Sequence, residues 1–137
     1  MQRPCSLFAC LLTNRLCSDG AQWVAQLRDR IERHEGGSPQ FRLNLWRQLF
    51  DTASYNKHFQ APEEEVWSYN LPGSLDIVTN RALSKSYIAM QPDDVKTDIR
   101  ADIKDIIQRG DGLKWSNEAQ GIFEYPYKTY VVIARKK

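Results

Sequence analysis

The chain is poor in the side chains that most often carry acid–base or metal chemistry. Its 137 residues include two histidines and three cysteines. His34 and His58 have no acidic or nucleophilic partner at a spacing typical of an active site, which favours surface positions for both. Cys5, Cys10 and Cys17 match neither a zinc site nor a redox CxxC pair, so we interpret them as reduced thiols in a cytoplasmic protein. These patterns assign no catalytic residue and no metal ligand.

A glycine-rich cofactor loop is also lacking. The chain has seven glycines, and the one adjacent pair, Gly36 and Gly37, follows a predicted helix and precedes Ser38 and Pro39. Nucleotide cofactors in α/β folds instead lie on a turn between a strand and the helix that follows it. No acidic residue is placed to hold a ribose at the end of a second strand. The sequence therefore predicts no cofactor-binding residues.

Neither an excess of one charge nor a long hydrophobic run is present. Nineteen basic and seventeen acidic side chains leave a net charge of +2, spread along the chain, which argues against nucleic acid or an anionic membrane as partner. No stretch approaches the roughly 20 apolar residues of a membrane span. Residues 6–12 after Arg3 could pass for a very short signal peptide, but a buried strand explains them equally and is favoured because no convincing cleavage site follows. Small molecules or proteins are the expected partners.

What the chain does contain is an alternation of strand and helix patterns. Apolar residues at helical spacing predict helices around residues 23–31, 45–50, 75–83 and 95–107. Strands are predicted at residues 7–12, at 67–71 with one buried face, and at 122–134 with both faces buried near the end. Three strands make a poor free-standing sheet, so a further strand or a partner is expected to complete it.

Several segments, in register from about residue 16 to residue 137, resemble one family. They are residues 23–27 (Trp-Val-Ala-Gln-Leu), 34–41 (His-Glu-Gly-Gly-Ser-Pro-Gln-Phe), 46–50 (Trp-Arg-Gln-Leu-Phe), 84–89 (Ser-Lys-Ser-Tyr-Ile-Ala) and 125–131 (Tyr-Pro-Tyr-Lys-Thr-Tyr-Val). Their order and spacing are similar to those in the carboxyl-terminal portion of class I S-adenosylmethionine-dependent methyltransferases that act on small molecules, of the methyltransferase type 11-like kind. Residues 7–14 resemble a degraded fifth strand of that family.

The resemblance implies an α/β fold, namely the C-terminal part of a Rossmann-like methyltransferase sheet with about three strands. Residues 1–137 would form a single partial domain, poorly matched over residues 1–15, with a helical lid at residues 75–109 between the last two strands. S-adenosylmethionine is the cofactor that the resemblance implies. Because the family's donor-binding motifs lie on its first four strands, we expect no binding of that cofactor to this chain alone.

Trp46, Tyr69 and Tyr87 are the candidate substrate-binding residues, because each is a large aromatic with a polar atom near a strand end or a lid helix. Aromatic residues at these spacings are also common in hydrophobic cores. The expected function is a partial methyltransferase that binds a small-molecule substrate or a complementary protein half. The alternative is a non-catalytic small-molecule or protein-binding module that forms a homodimer, with residues 131–134 against a partner strand. An enzyme with cofactor-free chemistry is a third hypothesis.

Overall fold

A computed structural model of the protein describes the backbone of residues 8–16 and all of residues 20–137. Cys5, Cys17 and the first residue of the predicted amino-terminal strand lie outside the described residues. The elements are β1 (Phe8–Leu16), α1 (Gln22–Glu32), α2 (Ala53–His58), β2 (Glu63–Gly73), α3 (Leu75–Leu83), α4 (Ser86–Ala89), α5 (Asp93–Arg109), β3 (Trp115–Asn117) and β4 (Ile122–Arg135). Three short 3₁₀ helices cover Phe41–Leu43, Leu45–Asp51 and Glu118–Gln120. None of the described helices combines the length and hydropathy that a membrane crossing requires.

The fold is mixed α/β, as the sequence predicts, and the strands are antiparallel. The sheet has the order β1-β4-β2, and the short β3 pairs antiparallel with β4. An isolated antiparallel bridge between Phe59 and Lys136 extends the pairing just beyond the ends of the strands. The longest strand, β4, therefore lies between β1 and β2, which form the two edges.

Three of the four predicted amphipathic helices are confirmed, and the fourth, predicted at residues 45–50, is a 3₁₀ helix with no buried residue. α1 buries Trp23, Val24, Leu27 and Ile31, and α5 buries four isoleucines at the predicted helical spacing. α3 begins where expected, because the Ser74 side chain accepts a hydrogen bond from the backbone N–H of Ile77. Val131 and Val132 are adjacent in β4 and both buried, which confirms the predicted burial on both faces of the last strand.

One element was not predicted and one prediction is wrong. The unpredicted element is α2, which Thr52 caps by accepting a hydrogen bond from the N–H of Tyr55. The wrong prediction concerns β2, which was expected to bury one face. Trp67 is 59% exposed and Leu71 37% exposed, because β2 has a neighbouring strand on one side only in the described sheet.

The chain divides into two compact units. The first contains residues 39–68, residues 128–137 and the part of β1 up to Arg15, and the second contains residues 69–127 together with the chain from Leu16 to Ser38. The main hydrophobic core belongs to the second unit, where α1 and α3 pack on α5. Phe123, Tyr125 and Tyr127 of β4 complete that core.

Candidate functional site

An apolar cavity of about 460 Å³ lies within the first unit. This volume falls in the range of roughly 300–1,000 Å³ that small-molecule sites occupy. Trp46, one of the three predicted substrate-binding residues, lies on its wall. The other lining residues are Leu49, Phe50, Thr52, Ser54, Tyr55, His58, Phe59, Val132 and Ala134.

A continuous series of aromatic contacts builds one side of the cavity. Trp46 stacks on Phe41 with ring centres 4.7 Å apart and meets Phe50 edge-on at 5.8 Å. Phe50 meets Tyr55 edge-on at 5.0 Å, and Tyr55 stacks on Phe59 at 5.2 Å. Because each ring is fixed by the next in a favourable geometry, the wall is preorganised.

Three of the five side chains with polar atoms on the cavity wall are already engaged. The Trp46 indole N–H donates to the carbonyl of Phe41 at 3.1 Å, and the Tyr55 hydroxyl donates to the carbonyl of Gln60 at 3.0 Å. The Thr52 hydroxyl donates to the carbonyl of Leu49 and accepts from the N–H of Tyr55. The Ser54 hydroxyl and the His58 imidazole make no hydrogen bond to another described residue, so they are free to bind a ligand.

Two arginine–glutamate ion pairs involve residues that follow the lining residues Trp46 and Ala134 in the sequence. Arg47 donates two hydrogen bonds to Glu64, at 2.5 and 2.6 Å, and its guanidinium carbon lies 4.5 Å from the centre of the Trp46 ring. The hydrogen bond from Arg47 lowers the pKa of Glu64, and the one from Arg135 lowers the pKa of Glu63. Arg47 therefore holds one face of the Trp46 ring, which leaves less of the ring free to move.

Tyr69 and Tyr87, the other two predicted residues, belong to the second unit. The Tyr69 ring is half-buried and stacks on Tyr127 at 6.1 Å. The Arg81 guanidinium lies 4.8 Å from the Tyr127 ring centre, and burial raises the pKa of Tyr127. The Tyr127 phenol is therefore neutral at physiological pH, and Tyr69 presents a partly open aromatic surface beside it.

Tyr87 is a member of the core of the second unit. It is 8% exposed and lies in α4, inside the predicted lid. The Lys85 ammonium is 5.9 Å from its ring centre, and burial is the main cause that lowers the pKa of Lys85. The structure therefore places Trp46 on a cavity, Tyr69 at a partly open position and Tyr87 within the core.

The amino end of α1 is packed against another segment of the chain. Backbone N–H groups at such a helix end are where a phosphate most readily binds. Here the backbone N–H of Trp23, in the first turn of α1, donates to the Asp111 carbonyl at 2.9 Å. Gln26 donates to the Asp111 carboxylate at 2.8 Å, and a Cβ added to Gly112 would lie 3.0 Å from the carbonyl oxygen of Gly20. The Asp111–Gly112 turn therefore occupies this end of α1.

No metal centre is formed within the described part of the chain, where no group of three or more His, Cys, Asp or Glu side chains could hold an ion. Sequence reasoning missed Tyr55, Phe59 and the contribution of His58 to the cavity. The available signal was the repeated four-residue spacing of aromatics, Trp46 with Phe50 and Tyr55 with Phe59, which places each pair on one helical face.

Comparison with known proteins gives no family assignment. No protein-family model matches the sequence, and neither does any curated protein.

Proposed function

We propose that this chain is the substrate-side, C-terminal portion of a protein similar to S-adenosylmethionine-dependent small-molecule methyltransferases, and that by itself it binds rather than catalyses. The observation that carries the proposal is the connection between the last two long strands. β2 and β4 are joined by three consecutive helices, α3, α4 and α5, over the residues 75–109 for which the resemblance implies a substrate lid.

The direction of the strands supports the same proposal. Because β4 is antiparallel to both of its neighbours, β1 and β2 run in the same direction. Two strands with the same direction need a crossover connection, which is usually helical. α1, two 3₁₀ helices and α2 supply it here. Parallel strands with helical crossovers and an added antiparallel strand are typical of mixed sheets in doubly wound folds.

The position of β1 supports the proposal as well. By the resemblance of residues 7–14 to the family's fifth strand, β1 is the strand that would lie next to the donor-binding strands of the sheet. β1 forms one edge of the sheet in the described part of the chain, so the side of β1 opposite β4 is where another strand would pair. An edge strand of nine residues is a ready template for such pairing.

Methyl transfer from a sulfonium donor depends mainly on holding two reactants in contact and in line. In the family that the sequence resembles, the donor-binding motifs lie on the first four strands, and this sequence has no glycine-rich loop. We therefore expect substrate-side binding without donor binding. A reaction would require donor-binding residues that this sequence does not contain.

Calorimetric titration with S-adenosylmethionine tests the proposal directly. We expect no binding, and no methylated product when the chain is mixed with donor and a panel of phenols and amines. S-adenosylmethionine binding at micromolar concentration would refute the proposal that this chain binds a substrate but not the methyl donor. A Tyr69→Ala variant would then show whether the bound donor lies near Tyr69. Trp115→Ala, at an exposed aromatic of the same unit, is the control.

A second function, a binding module that dimerises through its sheet, is favoured by the exposure of β2. Val66 is 50% exposed and Trp67 59% exposed on this edge strand, and exposed apolar edges pair readily with another chain. The sequence-based expectation places residues 131–134 against a partner strand, whereas β4 has a neighbouring strand on each side in the described sheet. A partner strand would pair with β1 or β2 instead.

Sedimentation velocity separates the two functions. If the module dimerises through β2, the wild type sediments as a dimer and Trp67→Lys as a monomer, with an unchanged circular dichroism spectrum. If the wild type is monomeric across the micromolar range, the dimer hypothesis fails and the methyltransferase-like proposal stands.

A further inference from the structure

The cavity lined by Trp46 lies outside the segment to which the proposed function assigns substrate binding. Its strand residues, Val132 and Ala134, come from the carboxyl-terminal part of β4. The lid helices α3 to α5 belong instead to the second unit, together with the amino-terminal part of β4. In open α/β sheets, the substrate and cofactor sites lie at the carboxyl ends of the parallel strands. Phe59, just before β2, pairs with Lys136, and the N–H of Gln60 donates to the Arg135 carbonyl, so Val132 and Ala134 lie toward the amino end of β2.

We propose that this cavity is a separate binding site for an uncharged, planar aromatic molecule that carries one hydroxyl or carbonyl group at its edge. The preference for a planar aromatic ligand follows from the wall. Trp46, Phe50, Tyr55 and Phe59 present ring faces and edges in alternating orientations, and aromatic rings pack on each other in offset-stacked or edge-to-face geometry.

The absence of charge on the ligand follows from the lining. None of the described lining residues is Asp, Glu, Lys or Arg, and the Arg47 guanidinium over the Trp46 ring is held by two hydrogen bonds to Glu64. A charged group that entered this apolar space would lose water without gaining an Asp, Glu, Lys or Arg side chain as an ion-pair partner. An ionised ligand is therefore disfavoured.

The single polar group on the ligand follows from the inventory of hydrogen bonds. With Trp46, Thr52 and Tyr55 engaged within the chain, Ser54 and His58 are the lining side chains with capacity to spare. Both belong to α2, where they are four residues apart and therefore lie on the same helical face. One hydroxyl or carbonyl on the ligand can be bound there while its rings lie on the aromatic wall.

Three probes of similar length test the ligand class on the full chain: 2-naphthol, which is planar and uncharged, 1-decanol, which is aliphatic, and 2-naphthoate, which is an anion. By isothermal titration we expect 2-naphthol to bind at least about tenfold more tightly than either of the others. Equal affinity for 1-decanol overturns the aromatic class, and tighter binding of 2-naphthoate overturns the inference that the ligand is uncharged. No binding of any probe at millimolar concentration overturns the site.

Two matched leucine variants test the location. Leu49 lines the cavity and is 58% exposed, whereas Leu43 does not line it and is 44% exposed. Because both side chains are largely exposed, Leu49→Glu and Leu43→Glu should both fold. We expect Leu49→Glu to weaken 2-naphthol binding by about tenfold or more and Leu43→Glu to change it by less than about twofold. Equal effects of the two variants would place the binding elsewhere.

His58→Ala tests the polar end of the site. It should reduce the affinity for 2-naphthol while leaving that for naphthalene, which has no hydroxyl, unchanged. Equal loss for both probes would mean that His58 shapes the cavity without binding the hydroxyl, which would overturn its proposed role. These outcomes do not depend on S-adenosylmethionine binding, so this inference and the proposed function can fail independently.

Discussion

Replacing Gly112 with alanine should destabilise the chain because a Cβ at this position meets backbone that cannot move aside. Gly112 has a φ of +71°, and the added Cβ would lie 3.0 Å from the carbonyl oxygen of Gly20 and 3.3 Å from the backbone nitrogen of Gln22. A left-handed backbone conformation costs an L-residue about 1–2 kcal/mol. Crowding in a packed region adds about 1–3 kcal/mol. The expected loss in the free energy of unfolding is therefore about 2–5 kcal/mol.

Gly121 provides the matched control for this substitution. Its φ is +67°, and no atom lies within 4 Å of a Cβ added there. Gly121→Ala should therefore show the backbone cost of about 1–2 kcal/mol without the crowding. Both variants lose the same chain flexibility in the unfolded state, so that contribution cancels in the comparison.

Urea unfolding followed by far-ultraviolet circular dichroism measures the difference, since α1, α3 and α5 dominate the helical signal. We expect Gly112→Ala to be less stable than Gly121→Ala by about 1–3 kcal/mol. If the two variants unfold at the same urea concentration, the close approach of the Asp111–Gly112 turn to the start of α1 is wrong.

Three further perturbations test the core and the ionisable groups. Ile103→Ala should reduce the free energy of unfolding by about 2–5 kcal/mol because Ile103 is fully buried in the core. Ile77→Ala, at a residue that is 48% exposed, should cost less than about 1 kcal/mol. Equal losses for the two variants in urea unfolding would contradict the assigned core. Glu64→Gln should cost less than about 1 kcal/mol at neutral pH because the pair with Arg47 is partly exposed. Since Arg47 lowers the pKa of Glu64, this contribution is present above the ordinary carboxyl pKa and is lost as the pH falls through the lowered value, so thermal melts of wild type and variant should converge in acid. Burial raises the pKa of Tyr125. The stability of the fold is therefore unaffected by this phenol below the ordinary tyrosine pKa and falls as the pH rises above it, because the unfolded chain loses the proton first. Tyr125→Phe should unfold at higher pH than the wild type, and an unchanged alkaline transition would show that this phenol is not buried.

The helices and the last strand could be predicted from the sequence because their patterns are local. Val95, Ile99, Ile103 and Ile106 recur at helical spacing, and any compact fold must bury such a stripe. Ser74 before α3 and Gly110 after α5 are residue types that favour helix ends for local reasons. The Ser74 side chain accepts a hydrogen bond from a backbone N–H, and Gly110 adopts the left-handed conformation. The run from residue 130 to 134 is apolar and β-branched, which is sufficient to indicate a strand buried on both faces.

The sheet order was decided by tertiary structure. That β4 lies between β1 and β2 depends on pairings between segments at least 49 residues apart, and no local pattern specifies which strands are neighbours. The same cause explains the wrong prediction for β2. The alternation of Trp67, Tyr69 and Leu71 indicates a strand, but whether the apolar face is covered depends on what packs against it.

The cavity shows the same division between local and long-range information. The sequence by itself identified one wall residue, Trp46, as a large aromatic with a polar atom. Only the tertiary structure decided that Val132 and Ala134, more than 70 residues farther along the chain, face the same space, and that Tyr87 joins the core instead. The physical reason is that a binding site is a gap between packed elements. The spacing of residues within one element does not specify how that element packs against another one far away in the sequence.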